Sequence, residues 1–157
     1  MALPACRQTD ASADARPTTT PLSDGRVKFS FTALEIGHLV DGEFDVVTAD
    51  GHFNHGIITC FWIGPNANEA VIGGQLTQMA SGPIPGHPER VFRVVDNRPP
   101  RTNDPDQISF LFRPVEDLGL IDAGEFCDPD LEGRPDLPLM DVVSGNVTVR
   151  DNPPMPN

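Results

Sequence analysis

Apolar residues in this chain alternate with polar ones or form short runs, and they do not recur every three or four positions as in a helix. Val27, Phe29, Phe31 and Ala33 interleave with Lys28, Ser30 and Thr32, which predicts a half-buried strand over 26–34. Gly42 to Thr48 predicts a second strand, and Ala49-Asp50-Gly51-His52 carries an Asp-Gly hairpin signal. His55 to Ile63 is apolar on both faces, as expected of a central strand. Further strands are expected at 70–77, 89–96, 107–112 and 144–150, with Gly73-Gly74 marking a bulge or bend. Turns fall at 64–68 and 82–88, an acidic Pro-rich loop at 96–106, and an irregular stretch carrying Cys127 at 113–138. The predicted class is all-β: an antiparallel sandwich or small barrel of about seven or eight strands.

The 17 Pro and 14 Gly fit a chain that turns often and disfavour long helices. Residues 1–25 hold Ala, Thr, Pro and Asp with almost no large apolar side chain, so they are expected to form a disordered tether. Residues 26–151 form the single β domain, and 152–157 a Pro-rich tail.

The formal net charge is −12, which repels phosphates and disfavours nucleic acid and anionic membrane surfaces as partners. It suits solubility, a cation or a basic protein partner. No run reaches the ~18 apolar residues of a membrane-crossing helix. Leu3-Pro4-Ala5-Cys6 matches the end of a bacterial lipobox, which would make Cys6 a lipidation site and a membrane tether. The alternative is an incidental cysteine in the tether. Three cysteines in an exported protein suggest one pair and a remainder, and Cys60–Cys127 is the natural pair, pinning the Pro-rich stretch to a core strand. The alternative leaves Cys60 buried and Cys127 exposed, both as thiols. The location that follows is extracytoplasmic: secreted, periplasmic or a cell-surface lipoprotein.

Several motifs, in order, resemble a family of small exported bacterial β domains of the post-COAP type, modules that accompany anchored surface proteins. They are Phe29-Ser30-Phe31-Thr32-Ala33, His55-Gly56-Ile57-Ile58-Thr59-Cys60, Ile72-Gly73-Gly74-Gln75-Leu76-Thr77, Phe92-Arg93-Val94-Val95-Asp96-Asn97, Pro105-Asp106-Gln107-Ile108-Ser109, Cys127, and Gly145-Asn146-Val147-Thr148-Val149-Arg150. The resemblance implies an exported β domain, the same cysteine pairing, and no particular activity. Asn97-Arg98-Pro99 departs from the family pattern, in which Gly often follows Asp-Asn, and the stretch between Arg113 and Cys127 is longer.

The candidate sites are few. His52 and His55 flank the hairpin and would need Asp50 or His38 to complete a metal site; otherwise His55 caps a strand edge. Asp96, Asp104 and Asp106 offer hard oxygen ligands on a Pro-stiffened loop, which suits a structural calcium ion, although Asp and Asn are also ordinary turn residues. Phe29, Phe31, Phe44, Phe61, Trp62, Phe92, Phe110 and Phe112 would line a ligand cavity in a barrel, or fill a core. His52, His55 and Trp62 are thus the ligand-binding candidates. No Gly-x-Ser-x-Gly elbow or phosphate-cradling loop is present. Asn146-Val147-Thr148 is a glycosylation sequon at a strand start.

The function expected is a non-enzymatic exported or cell-surface module serving structure or recognition, with no cofactor. One alternative is a small barrel that binds an apolar ligand or catalyses a cyclisation or isomerisation. Another is a subunit of a surface assembly that self-associates through a strand edge.

Overall fold

The strand read from alternation at 26–34 is β2 (Val27–Ile36), and its odd-numbered residues Val27, Phe29, Phe31 and Ala33 are buried. The computed structural model describes residues 6–16, 27–36, 39–48, 52–65, 68–80, 82–97 and 104–152. Around β2 lie β1 (Cys6–Arg16), β3 (Leu39–Thr48), β4 (Phe53–Ile63), β5 (Glu69–Met79), β6 (Glu89–Val95), β7 (Gln107–Ser109) and β8 (Leu139–Asn152), with one four-residue helix, α1 (Ala123–Phe126). Each strand pairs antiparallel with the next, and β8 pairs with β1, so the sheet closes into an eight-stranded barrel. The all-β class is therefore as read, and of the two architectures the chain adopts the barrel.

Eight strands enclose a space about as wide as two layers of side chains. Phe31 on β2 and Phe92 on β6, from opposite walls, meet edge to face at 5.1 Å between ring centroids, and Phe44 lies 5.9 Å from Phe92. Ile58, Phe61, Ile72, Val94, Ile108, Met140 and Val147 pack into the same cluster. Glycines make room for the large rings. A β-carbon on Gly56 would fall 2.4 Å from Phe44 Cζ, and one on Gly74 would fall 2.9 Å from Phe44 Cε1, so the Phe44 ring of β3 lies across β4 and reaches β5.

Of three register shifts in the described strands, two set which side chains of β4 and β8 face inward. In β4, Ile58 pairs with Gly74 and Cys60 with Gly73, leaving Thr59 as the extra residue. Burial therefore passes from the even positions, Gly56 and Ile58, to the odd ones, Phe61 and Ile63, and Cys60 and Trp62 fall on the outer face. In β8 the register slips across Val143, with Val142 and Ser144 opposite Ala15 and Asp14. Buried positions shift there from Met140 and Val142 to Val147 and Val149.

The expected disordered tether of residues 1–25 is corrected over part of its length, because Cys6–Arg16 is a barrel strand. Ala11 stands opposite Phe31 on one side and Val147 on the other, and Ala13 opposite Phe29 and Gly145. Two flanking ladders satisfy its backbone, and the bulky residues stand on its neighbours, so the strand needs no large apolar residue of its own. Residues 1–5, 17–26 and 153–157 lie outside the described chain. The strand expected at 107–112 ends at Ser109; Phe112 returns only as a bridge, exchanging two 2.9 Å hydrogen bonds with Val91. The last strand begins at Leu139, earlier than its alternation suggested.

The outside of the barrel has two characters. On β2 and β3, Lys28, Ser30, Thr32, Asp41, Glu43 and Asp45 are exposed. On β4 to β6 the outward Val71 and Val91 are buried beneath the excursion between β7 and β8, with Ala123, Phe126 and Leu137 of the excursion in a second apolar cluster. That is why β4 reads as apolar on both faces: one faces the barrel axis and the other this covering segment. Outward charges such as those on β2 and β3 would meet lipid in a membrane-spanning barrel.

Candidate functional site

The most elaborated region of the molecule is this covered outer wall. Cys60 on the outer face of β4 is joined to Cys127 at the end of α1, with 6.1 Å between their Cα atoms, across 67 residues of sequence. Closing a loop of that length stabilises the fold by about 4 kcal/mol in the chain-entropy account. Local signals set α1 in place. The Asp122 carboxylate accepts from Glu125 N at 2.8 Å and caps the helix, while the Glu125 carboxylate accepts from Ile121 N at 3.0 Å. Cys127 N then donates back to Ala123 O, ending the helix with the sulfur turned to the barrel.

Arg134 locks the far side of the segment. Its guanidinium lies 4.4 Å from the centroid of the Trp62 ring, its Nε donates to Phe126 O at 2.9 Å, and a terminal nitrogen donates to Asp128 O. Burial holds the Arg134 pKa below its ordinary value, with Asp128 opposing that shift, and the group stays cationic. Arg93 on β6 gathers the return path: its Nε donates to Glu69 at 2.5 Å, and a terminal nitrogen pairs with Asp136. Near the start of the segment, Arg113 Nη2 meets Asp117 at 2.8 Å. Its hydrogen bonds hold the Asp117 carboxylate below the usual carboxylate range and raise Arg113.

All three calcium candidates fall within the described residues. Asp96 and Asp106 are buried, and their carboxylates accept backbone amides. Asp106 takes Asn97 N at 2.7 Å and Val147 N at 2.9 Å, one on each oxygen. Asp96 takes Val149 N at 3.1 Å, and the Asp106 carbonyl takes Val142 N at 2.8 Å. β7 is only three residues long, so these acceptors stand where a longer strand would have presented carbonyls to β8. Asp104 is exposed. Among the described residues no three His, Cys, Asp or Glu side chains gather as metal ligands.

The remaining candidates are dispersed. His55 Nδ1 lies 2.5 Å from Asp45 Oδ1 across the β3–β4 pair, beside an open polar depression of about 320 Å3 lined by Ser30, Thr32, Asp41 and Glu43. His52 is exposed at the start of β4, while His38 and Asp50 lie outside the described residues. Trp62 belongs to the outer wall under Arg134 and not to the barrel interior; Phe112 joins the same outer cluster, and Phe110 is exposed. Cys6 opens β1 opposite Ile36 and Asn152, and the side chains of Cys6 and Asn146 lie outside the described residues. Sequence reading missed Arg134 and Gly73 as parts of the cysteine site. The available signal was Trp62 beside Cys60 on a strand apolar on both faces, which calls for a second covering layer.

No protein-family model, no curated protein and no solved structure matches this chain. Among the described residues no helix is long and apolar enough to cross a membrane.

Proposed function

We propose that this chain is a non-enzymatic exported or cell-surface module that acts in structure or recognition through its outer surface. The observation that carries this reading is the contact between Phe31 and Phe92 across the barrel axis, 5.1 Å between centroids. At that level opposite walls touch, and a barrel that encloses a ligand or a reacting substrate needs space there. The Cys60–Cys127 bond supports the exported part, since structural disulfides persist in oxidising compartments. Membership of the post-COAP-type exported family, and a lipid on Cys6 that tethers the barrel through β1, belong to the same proposal. The assembly alternative has less support, because closure of the sheet removes strand edges and the Asp96 and Asp106 carboxylates occupy the stretch of β8 beyond β7.

The test is titration of the full chain with medium- and long-chain fatty acids and isoprenoid alcohols, followed by calorimetry and a turnover screen on ester, epoxide and enone substrates. No stoichiometric uptake and no turnover is the expected result. Saturable one-to-one uptake, or turnover lost in His55→Ala or Asp45→Ala, would overturn the proposal.

A further inference from the structure

We propose that residues 113–138, between β7 and β8, are a thiol-released strap: reduction of Cys60–Cys127 frees them from the outer wall while the barrel stays folded. The proposal does not depend on the module reading above, and it concerns how the covered wall is opened.

The first observation is that the two apolar clusters are separate. The cluster inside the barrel is built from barrel strands, with Leu111 at its margin as the one contribution from the excursion. The outer cluster is shared between outward residues of β4 to β6 and the excursion. Lifting the excursion therefore removes no buried side chain from the barrel interior beyond that margin, and regions that share few buried contacts open independently.

The second observation is how little regular structure holds the strap. Over residues 113–138 its one regular element is the four-residue α1, and a helix that short has no stability of its own. The segment bears eight carboxylates against two arginines, so once unclasped its own charge favours an extended, solvated state. Arg113 is engaged locally with Asp117, and Arg134 bonds carbonyls of the strap itself while lying over Trp62. The attachments to the barrel include the disulfide, the buried Phe126, Ala123 and Leu137 with Leu118 and Leu120 packed beside them, the Arg134–Trp62 contact, the Arg93 contacts with Asp136 and Leu137 O, and a 3.4 Å bond from Ala123 N to the Glu89 carboxylate.

The chemistry is ordinary exchange with a dithiol. One thiolate of the dithiol attacks a protein sulfur, and the other cysteine leaves as thiolate. The second thiolate of the reagent then attacks the reagent's own sulfur in the mixed disulfide, and the protein cysteine leaves as thiolate. The protein gains two thiols, and the dithiol is oxidised to its cyclic or paired disulfide. Cys60 is half-buried and Cys127 buried, so attack falls on Cys60. Release bares Trp62, Val71, Val91 and Phe112, an apolar strip on a wall that is otherwise sealed.

The sequence supplies its own reporter. Trp62 is the one tryptophan, and there is no tyrosine. The experiment uses the full chain carrying Cys6→Ser, so that a third thiol cannot join the exchange. Dithiothreitol is added under native conditions, thiols are counted, and hydrogen exchange is followed by mass spectrometry alongside Trp62 fluorescence. The expected result is amide exchange faster by about tenfold or more over 113–138, with β2, β3 and β8 keeping their protection. Trp62 emission shifts to the red, a hydrophobic dye binds, and air reoxidation reverses all three. A Cys60→Ala, Cys127→Ala double variant shows the released pattern without reductant. The proposal is overturned if the barrel strands lose protection together with the strap, if the strap stays protected once both thiols are counted, or if the bond resists dithiothreitol in the native protein.

Discussion

Gly73 lies directly against the Cys60 sulfur: a β-carbon at Gly73 would sit 2.7 Å from Sγ and 3.0 Å from the Ala123 β-carbon. The Gly73-Gly74 pair thus serves both sides of the barrel wall, Gly73 admitting the disulfide and α1 outside and Gly74 admitting the Phe44 ring inside. Gly73→Ala is expected to destabilise the protein by about 1–3 kcal/mol through overpacking. It also slows oxidation of the pair, so thiol titration during refolding finds more unreacted sulfhydryl than in the wild type. Unchanged pairing kinetics and stability would contradict this placement.

Asp106 stands in for a missing strand. Both of its oxygens accept backbone amides, at 2.7 Å from Asn97 and 2.9 Å from Val147. Asp106→Asn turns one acceptor into a donor facing an amide and leaves a buried N–H unsatisfied, a loss of about 1–3 kcal/mol in urea unfolding. Calcium addition or chelation is expected to leave the melting temperature unchanged, because these oxygens already have partners. A calcium-dependent rise would restore the ion-binding reading of Asp96, Asp104 and Asp106.

Asp117 gives the account a pH signature. Its carboxylate is held below the usual range, first by the Arg113 side-chain hydrogen bond and then by the Arg113 amide. A carboxylate depressed in the folded state contributes stability above its unfolded pKa, and that contribution is lost as pH falls through the folded value. The pair lies at the surface and is screened by solvent, so the effect on global stability is small and the direct readout is the group itself. Carboxyl-carbon NMR is expected to find Asp117 protonating at lower pH than ordinary surface carboxylates, and Arg113→Gln is expected to raise its pKa. A titration that Arg113→Gln leaves in place would show that the pair does not form in solution.

Much of this architecture was legible as alternation. The period-two run Val27–Ala33 became β2, the doubly apolar stretch at His55–Ile63 became β4, and the pairing of Cys60 with Cys127 holds in the structure. What escaped reading has physical causes. β1 carries no large apolar residue, and apolar content alone cannot signal a strand whose partners supply the bulk. The sequence groups Trp62 with the interior rings, but the extra residue Thr59 reverses the facing of the second half of β4. Asp96 and Asp106 look like turn residues or ion ligands in a linear chain, and their use as acceptors for β8 appears only when residues 41 and 53 positions apart come together. Arg134 lies among Pro, Gly and Asp residues with no pattern to mark it, and its role follows from meeting Trp62.

Phe92 is the place to test whether side chains fill the barrel interior. Phe92 is buried and touches rings from two other strands, Phe31 and Phe44. Phe92→Ala is expected to lower unfolding free energy by about 3–5 kcal/mol and to leave an apolar void. Xenon-129 NMR, with benzene as a second probe, is then expected to report an internal binding site in the variant and none in the wild type. Internal uptake of xenon or benzene by the wild-type chain would contradict the filled barrel.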